Sequence, residues 1–198
     1  MNQVIDNIKQ RRSIRRYTEK QVPRDIINEC INSAIYAPSS HNRQPWDFTI
    51  ITNKKLINEL SDSIRAWYKS IAQLSLPLSF IKEVRKSAEE MMKRVKSEKD
   101  LFFYQAPCIV ITHAPNKRFF AQDCSCAAQN LMLAARSLEV GSCWIGFADI
   151  VFNKNNNIKK KLNIPNSHSI MATIALGYPE KFPESALPRR EPKKVWIE

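Results

Sequence analysis

Apolar residues recur at helical spacing near the start of the chain and predict two amphipathic helices. Residues 4–8 predict a short helix that ends just before a basic cluster. Pro23 predicts the start of the second helix, because proline is favoured at a first helical position. This helix is expected to end at Ala37, since the residue before Pro38 avoids the helical region of backbone space.

Helical periodicity also covers three longer stretches and a weaker short one. They are residues 54–69, 79–98, 121–140 and 153–164. Small and apolar residues surround more than one face of the third stretch, so this helix is expected to be central to the fold. Gly141 is expected to end it, as glycine often does after a helix.

Four runs rich in β-branched and aromatic residues predict strands. They read WDFTIIT from Trp46, PCIVITHA from Pro107, SCWIGF from Ser142 and SIMATIALGY from Ser169. Helices interspersed with a few such strands predict an α+β fold, with helices packed on a small mixed or antiparallel sheet. No linker interrupts the pattern, so residues 1–198 are expected to form a single domain.

The chain carries a formal net charge of +12, from 31 Lys and Arg against 19 Asp and Glu. This balance favours polyanions, either nucleic acid or small phosphorylated and acidic ligands. The cations are dispersed and are not interleaved with aromatic residues, so nucleic acid is not the expected main partner. No apolar run approaches the roughly 20 residues of a membrane-spanning helix. The first residues lack the order of a signal peptide, so a cytoplasmic location is predicted.

The five cysteines do not form a recognisable framework. Their number is odd and no CxxC pair occurs, so reduced and mostly buried thiols are expected rather than disulfides or zinc ligands. No metal site is predicted. Two of the three histidines are expected to be structural, His113 because it follows a strand and His168 because it lies in a loop.

The stretch RRSIRRY gathers four arginines around one serine. Glycine-rich phosphate motifs are missing, because the chain has only three glycines and neither GxGxxG nor GxxxxGK[ST]. A bound phosphate would therefore depend on side chains, and the arginine fork makes paired hydrogen bonds to phosphate oxygens. Ser13 can add a hydroxyl donor and Arg190 can close the cluster from far away in the sequence. The alternative is a solvated, charged helix end.

A second stretch, APSSHNRQPWDFTII, places polar residues just before a strand. The carboxamides of Asn42 and Gln44 both donate and accept hydrogen bonds, so they can read the edge of a heterocycle. The alternative is a turn that only connects a helix to a strand.

Taken together, these motifs resemble the nitroreductase family of flavoproteins. RRSIRRY, AIYAPSSHNRQPWDFTIIT, DCSCAAQNLMLAARSLEVGSCWIGF, IALGYPE and PRREPKKVW occur in the order of that family. The resemblance spans essentially the whole chain, and its motifs are specific when they occur together. It implies an α+β homodimer that binds FMN at the subunit interface, with an interlocked C-terminal tail.

The resemblance also implies a set of cofactor-binding positions. They are Arg11, Arg12, Ser13, Arg15, Pro38, Ser39, Ser40, Asn42, Gln44, Trp144, Ile145, Gly146, Arg189 and Arg190. Residues 11–13 correspond to phosphate and ribityl ligands, and Arg15 to a cation near the flavin N1/O2 edge. Residues 38–42 correspond to a loop from the other subunit, and residues 144–146 to backbone near flavin N5. Arg190 corresponds to an arginine that returns to the phosphate.

The reaction implied by the resemblance has two steps. NADH or NADPH donates a hydride to flavin N5 and leaves, and an electron-poor small molecule such as a nitroaromatic or a quinone is then reduced. The flavin carries out the redox chemistry, so no catalytic side chain is assigned, although His41 is a candidate proton donor. No clear acidic residue is found beside the WIGF segment, where some relatives carry one.

Two other functions stay open. The chain could be an FMN-binding protein of the same fold with another reaction: flavin breakdown, reductive dehalogenation or oxidation of a peptide heterocycle. It could also be a basic nucleic-acid-binding module, whose affinity would fall steeply with salt.

Overall fold

A computed structural model describes residues 2–75 and 82–198. The described residues form α1 (Gln3–Gln10), α2 (Arg24–Ala34), β1 (Asp47–Ile51), α3 (Lys54–Ser75), α4 (Lys82–Lys96), β2 (Cys108–Pro115), α5 (Phe120–Ser137), β3 (Gly141–Trp144), α6 (Gly146–Asn153), α7 (Asn156–Lys161) and β4 (His168–Gly177). A short 3₁₀ turn, Ser40–Asn42, precedes β1. Residues 79–81 of the predicted fourth helix lie outside the described residues.

The four strands pair antiparallel in the order β1-β2-β4-β3, which confirms the α+β prediction and its antiparallel alternative. The central strand β2 alternates between two cores. Ile109 and Ile111 pack with α3 and α6 on one face, and Val110 packs with α2 and α5 on the other. Both faces of the sheet are therefore covered by helices. Among the described residues, no helix is long and apolar enough to span a bilayer.

Both histidines expected outside strands lie within them. His113 lies inside β2 and His168 is the first residue of β4. The buried run of β2 continues through His113 to Ala114. The expected loop position of His168 was therefore wrong by one residue, because pairing with Pro115 extends β4 to it, and His113 lies within the strand predicted from Pro107 rather than after it.

The end of α5 also differs from the prediction. The helix stops at Ser137, and Glu139 takes the left-handed conformation with φ 58° that was expected of glycine. Gly141 instead begins β3, where a Cβ atom would lie 2.8 Å from Cγ1 of Ile14. Glycine is required there because residues 11–15, the basic segment, pack closely against β3.

Helix α1 matches the predicted start, and the Asn2 side chain caps it by accepting hydrogen bonds from the N–H groups of Val4 and Ile5. Its apolar side chains are exposed, with Val4 at 66% and Ile8 at 51%. Helix α2 ends at Ala34, before the predicted Ala37.

Helix α6 was not predicted, and it follows β3 almost directly. All five cysteines are free and four are buried, as predicted.

Candidate functional site

The basic segment follows α1 and runs beside the edge strand β3. Ser13 and Ser142 form an isolated parallel bridge, in which the Ile14 N–H donates to the Ser142 carbonyl at 2.9 Å. The side chain of Arg12 turns back towards its own backbone. Its Nη1 donates to the carbonyls of Lys9 at 2.5 Å and Arg11 at 2.8 Å. Backbone pairing thus fixes where this segment lies relative to β3.

Arg11 and Arg12 are both half-buried, and the pKa of Arg11 is shifted. Burial lowers the pKa of the Arg11 guanidinium, and the positive charges of Arg12 and Arg189 lower it further. Across residues 2–75 and 82–198, no ion pair joins any of these three arginines to a carboxylate. Positive charge therefore accumulates here without a counter-charge, which is the electrostatic condition for binding an anion.

The C-terminal tail contributes to the same region. The Arg12 Nε donates to the carbonyl of Ser185 at 3.4 Å, and the charge of Arg189 acts on Arg11. Arg190, expected to be the returning arginine, is exposed. Arg189 is exposed as well, but its charge, rather than that of Arg190, acts on Arg11.

Ser13 and Arg15 lie beside a buried thiol. The positive charges of Arg15 and Arg11 act on the Cys143 thiol, whose Sγ donates to the Trp144 carbonyl at 3.8 Å. Burial nevertheless raises the pKa of the Cys143 thiol, so the thiol stays protonated and inert near neutral pH. The Arg15 side chain is exposed, and its guanidinium carbon lies 6.0 Å from the ring centroid of Tyr104. Arg15 is thus a cation held at the surface of the site.

The turn at residues 38–44 is tightly hydrogen-bonded within itself. The Ser39 Oγ accepts from the Gln44 N–H at 3.0 Å, and the Gln44 amide Nε2 donates to the Asn42 Oδ1 at 3.0 Å. His41, Asn42 and Gln44 have φ values of 54°, 53° and 44°. Left-handed backbone costs a non-glycine residue about 1–2 kcal/mol. The turn therefore presents exposed polar side chains at a fixed but strained geometry.

Helix α5 anchors this turn from the same chain. The Asp123 Oδ1 accepts a hydrogen bond from the Ser40 N–H at 3.2 Å, and Asp123 is only 6% exposed. His41 is exposed, and its Nδ1 lies 3.1 Å from the Ser40 Oγ. Within the part of the chain that the structure describes, no hydrogen bond or ion pair links the turn to the basic segment. The two groups of predicted site residues therefore have no direct polar contact within the described part of one chain.

The junction of β3 and α6 contains an acidic residue that the sequence analysis missed. The Trp144 Nε1 donates to the Asp149 Oδ2 at 2.8 Å, so the statement that no acidic residue lies beside the WIGF segment was wrong. Burial raises the pKa of Asp149 to about 6, against the opposing effect of the hydrogen bond from Trp144. The only signal in the sequence is that Asp149 follows Trp144 by five residues. This spacing lets a carboxylate in the first turns of α6 reach the indole.

The start of α6 opens onto free space. The Ile145 N–H donates to the Thr173 carbonyl at 2.7 Å and is therefore occupied. No side chain caps the helix, and a Cβ atom built on Gly146 would meet nothing within 4 Å. The first turn of a helix presents N–H groups without intrahelical partners and a partial positive charge. The junction can thus receive an electron-rich ring or a carbonyl oxygen.

Comparison with known proteins connects this arrangement to flavoenzymes. Residues 8–178 match the family described as the nitroreductase family. The chain is 27% identical over 180 residues to a Methanothermobacter thermautotrophicus protein with the provisional name NADH dehydrogenase/NAD(P)H nitroreductase, covering 91% of this chain and 79% of that protein. It is also 27% identical over 198 residues to the 4-nitrobenzoate reductase of Nocardioides sp., covering 86% and 78% of the two chains.

A solved structure shows the same fold. The nitroreductase of Bacteroides fragilis NCTC 9343 with bound FMN superimposes with a TM-score of 0.75 at 31% sequence identity. The match covers 100% of both chains. The fold is therefore similar from end to end, including the segments that carry the candidate site.

Proposed function

Because this chain belongs to the nitroreductase family of oxidoreductases, we propose that it uses FMN to reduce small electron-poor molecules with NADH or NADPH. Nitroaromatic compounds and quinones are the proposed acceptors. The FMN bound to the Bacteroides fragilis relative supports the cofactor, and the names of the two curated relatives support the donor and a nitroaromatic acceptor. The observation that carries the proposal is the cluster of arginines without a carboxylate partner at the edge of β3.

The residues present fit an FMN phosphate. Arg11 and Arg189 supply positive charge that no acidic side chain balances among the described residues, and Ser13 supplies a hydroxyl. In this proposal Arg11 donates charge-assisted hydrogen bonds to the phosphate. Arg12 has a supporting role, because its guanidinium is engaged with backbone carbonyls of Lys9 and Arg11. Arg190 remains a proposed phosphate ligand.

The flavin ring is proposed to lie against the junction of β3 and α6. Bound FMN supplies hydride chemistry, first with the nicotinamide and then with the acceptor. The uncapped start of α6 at Gly146 offers N–H groups to the ring, and the open space there admits it. Asp149 positions the Trp144 indole through their hydrogen bond. Arg15 places a fixed cation that favours negative charge on the ring.

The turn at residues 38–44 is proposed to serve the flavin of a second copy of the chain. Its residues Pro38, Ser39, Ser40, Asn42 and Gln44 make no hydrogen bond to the chain's own basic segment in the described structure. Exposed apolar side chains on α1 and at Trp196 in the tail provide surface that a partner subunit would cover. The flavin site is then complete only in the homodimer.

Dilution tests this shared site. If the turn is supplied by a partner, diluting the protein until it dissociates should release FMN, seen as recovery of free-flavin fluorescence together with a fall in mass. Tight FMN binding by an isolated monomer would contradict the shared site and leave the family membership unaffected.

An anaerobic absorbance spectrum tests the function itself. The purified protein, reconstituted with FMN, is recorded before and after adding NADH and then NADPH, and finally after adding 4-nitrobenzoate. Bleaching by a donor and recovery with the acceptor are expected. A flavin band that does not bleach would indicate that this protein of the same fold catalyses another flavin reaction. Failure to bind FMN would indicate that the arginines form only a basic surface. The dependence of nucleic-acid affinity on salt concentration would then be measured.

A further inference from the structure

Three side chains from three strands converge at one end of the sheet. They are Asp47 at the start of β1, His113 in β2 and His168 at the start of β4. One potential ligand atom from each lies within 4.8 Å of the other two. We propose that this cluster binds a divalent transition-metal ion of the zinc class. The sequence predicted no metal site, because its cysteines lack the spacing of zinc ligands.

The sheet register creates this convergence. Asp47 is the direct cross-strand partner of His113, and His168 pairs with Pro115, two residues further along β2. A register shift between Thr112 and His113 interrupts the β2–β4 ladder. Such irregularities re-aim a side chain, and here the result is that both imidazoles face each other. The three groups are held by backbone pairing rather than by flexible loops.

The distances suit a small ion. The two Nδ1 atoms of His113 and His168 lie 3.0 Å apart, and the Nδ1 of His168 lies 3.6 Å from the Asp47 Oδ2. Ligands bound to zinc at about 2.0–2.1 Å in a tetrahedron are separated by about 3.4 Å. Two of the three separations lie on either side of that value, and the third, between Asp47 and His113, is within 4.8 Å. Metal binding therefore needs only small side-chain adjustments.

The hydrogen-bonding capacity of the cluster points the same way. The Nδ1 of His168 faces both the Asp47 carboxylate and the Nδ1 of His113, and a neutral ring carries at most one proton on that atom. When one of the two Nδ1 atoms carries the proton it donates to the other at 3.0 Å, and the Asp47 Oδ2, 3.6 Å from the His168 Nδ1, is then left without that proton. A cation between them satisfies all three at once.

The surroundings of His113 match those of a metal ligand. Its other ring nitrogen, Nε2, lies 3.1 Å from the Thr49 Oγ1. When Nε2–H donates to this hydroxyl, the lone pair of Nδ1 is directed to the cluster, the arrangement that orients histidine ligands in metal sites. His113 is 4% exposed, so its ring has little freedom to turn away.

Charge and exposure define the class of ion. Two imidazoles and one carboxylate favour zinc and its neighbours over calcium or magnesium, which require more oxygen ligands. The Asp47 side chain is 64% exposed, which leaves room for water at a fourth position. The buried Lys159 ammonium donates to the His168 carbonyl at 2.7 Å and opposes a nearby cation. The Asp47 carboxylate is therefore essential to the charge balance.

Zinc titration of the full-length, FMN-loaded protein tests the proposal after treatment with a chelator. A Cys126→Ser background removes the exposed thiol, a competing zinc ligand. One zinc ion should bind per chain, with X-ray absorption showing only nitrogen and oxygen neighbours at about 2.0–2.2 Å. The readout does not depend on turnover, so it remains valid if the proposed reaction fails.

Three substitutions sharpen the measurement. Asp47→Asn should weaken zinc binding by at least about 100-fold, and Thr49→Val by about 10–100-fold, the usual effect of losing the partner of a histidine ligand. Asp62→Asn removes another exposed carboxylate, on α3, and should leave zinc affinity unchanged. Asp47→His supplies a replacement ligand and should restore most of the affinity. Circular dichroism of each variant checks that the fold is retained.

Several results would overturn the proposal. They are no zinc bound at a micromolar concentration, sulfur among the neighbours of the ion, or equal affinity in the Asp47→Asn and Asp62→Asn variants. An affinity that falls in folded Asp47→Asn and returns in Asp47→His would establish the site. Asp47 begins β1 shortly after the turn at residues 38–44. The bound ion would then stabilise the position at which the chain leaves that turn.

Discussion

The basic segment at residues 11–15 and the turn at residues 38–44 carry most of the predicted flavin contacts, and they differ in what each leaves unsatisfied. The backbone of the basic segment is relaxed, since none of its residues has a positive φ. Its charges are not balanced, because Arg11 lies near Arg12 and Arg189 without a carboxylate partner among the described residues.

The turn shows the opposite combination. Its polar groups are paired with one another and with Asp123, but three of its residues are held in left-handed backbone. Unbalanced charge is relieved by binding an anion, whereas backbone strain persists whether or not a ligand is bound. The basic segment is therefore expected to control affinity for FMN, and the turn to fix geometry.

Removal of Arg11 should give the largest effect. Arg11→Ala eliminates a charge-assisted contact with the proposed phosphate, worth about 1.5–3 kcal/mol, so FMN affinity should fall by about 10- to 150-fold. Flavin fluorescence quenching measures the dissociation constant. Arg16→Ala removes the same charge from an exposed neighbour and serves as the control. Equal losses in the two variants would show that only net charge matters.

Removal of Arg15 should change the flavin's reduction potential more than its binding. Without this cation the reduced flavin is less stabilised, and the midpoint potential of Arg15→Ala should fall by about 30 mV, equivalent to about 1.4 kcal/mol for two electrons. Dye-coupled anaerobic titration measures the potential. If Arg15→Ala and Arg16→Ala have the same potential, Arg15 does not face the ring.

In the turn, the loss of one internal hydrogen bond should reduce stability. Ser39→Ala leaves the Gln44 N–H without its acceptor, and unfolding in urea should show a loss of about 1 kcal/mol. Ser125→Ala is the matched control, because that hydroxyl only donates to the Ala121 carbonyl within α5. A stability loss of the same size in both variants would contradict a specific role of the Ser39 hydroxyl.

The main elements of the fold were predictable where a strand is buried along its whole length. The predicted bounds of β2 and β4 lie within one residue of the observed ones, because central strands covered on both faces read as unbroken apolar runs. Helix α6 was missed since its apolar residues continue those of β3 and its cap position, Ile145, makes no side-chain hydrogen bond that would mark a helix start.

The sequence names candidate site residues, but it does not show how they are arranged. Sequence order does not reveal that Arg189 approaches Arg11, or that Trp144 pairs with Asp149, because tertiary packing decides both contacts. The convergence of His113 and His168 was equally hidden, since it depends on the register of β2 with β4. Glutamine rarely adopts left-handed backbone, so the sequence did not predict the conformation of Gln44.

The smallest effect is expected from relieving that strain. Gln44→Gly removes the Cβ that opposes a φ of 44°, which gains about 1–2 kcal/mol, while the added freedom of the unfolded chain returns about 1 kcal/mol. Gln44→Ala loses the same side-chain hydrogen bond to the Asn42 Oδ1 but keeps the Cβ, so the unfolding free energy of Gln44→Gly should exceed that of Gln44→Ala by about 0.5 kcal/mol. Arg43→Gly is the control, because Arg43 is exposed and has an ordinary φ of −74°, so glycine there should destabilise. A Gln44→Gly variant no more stable than Gln44→Ala would show that the turn stores no strain, and the contrast between the two regions would then rest on charge alone.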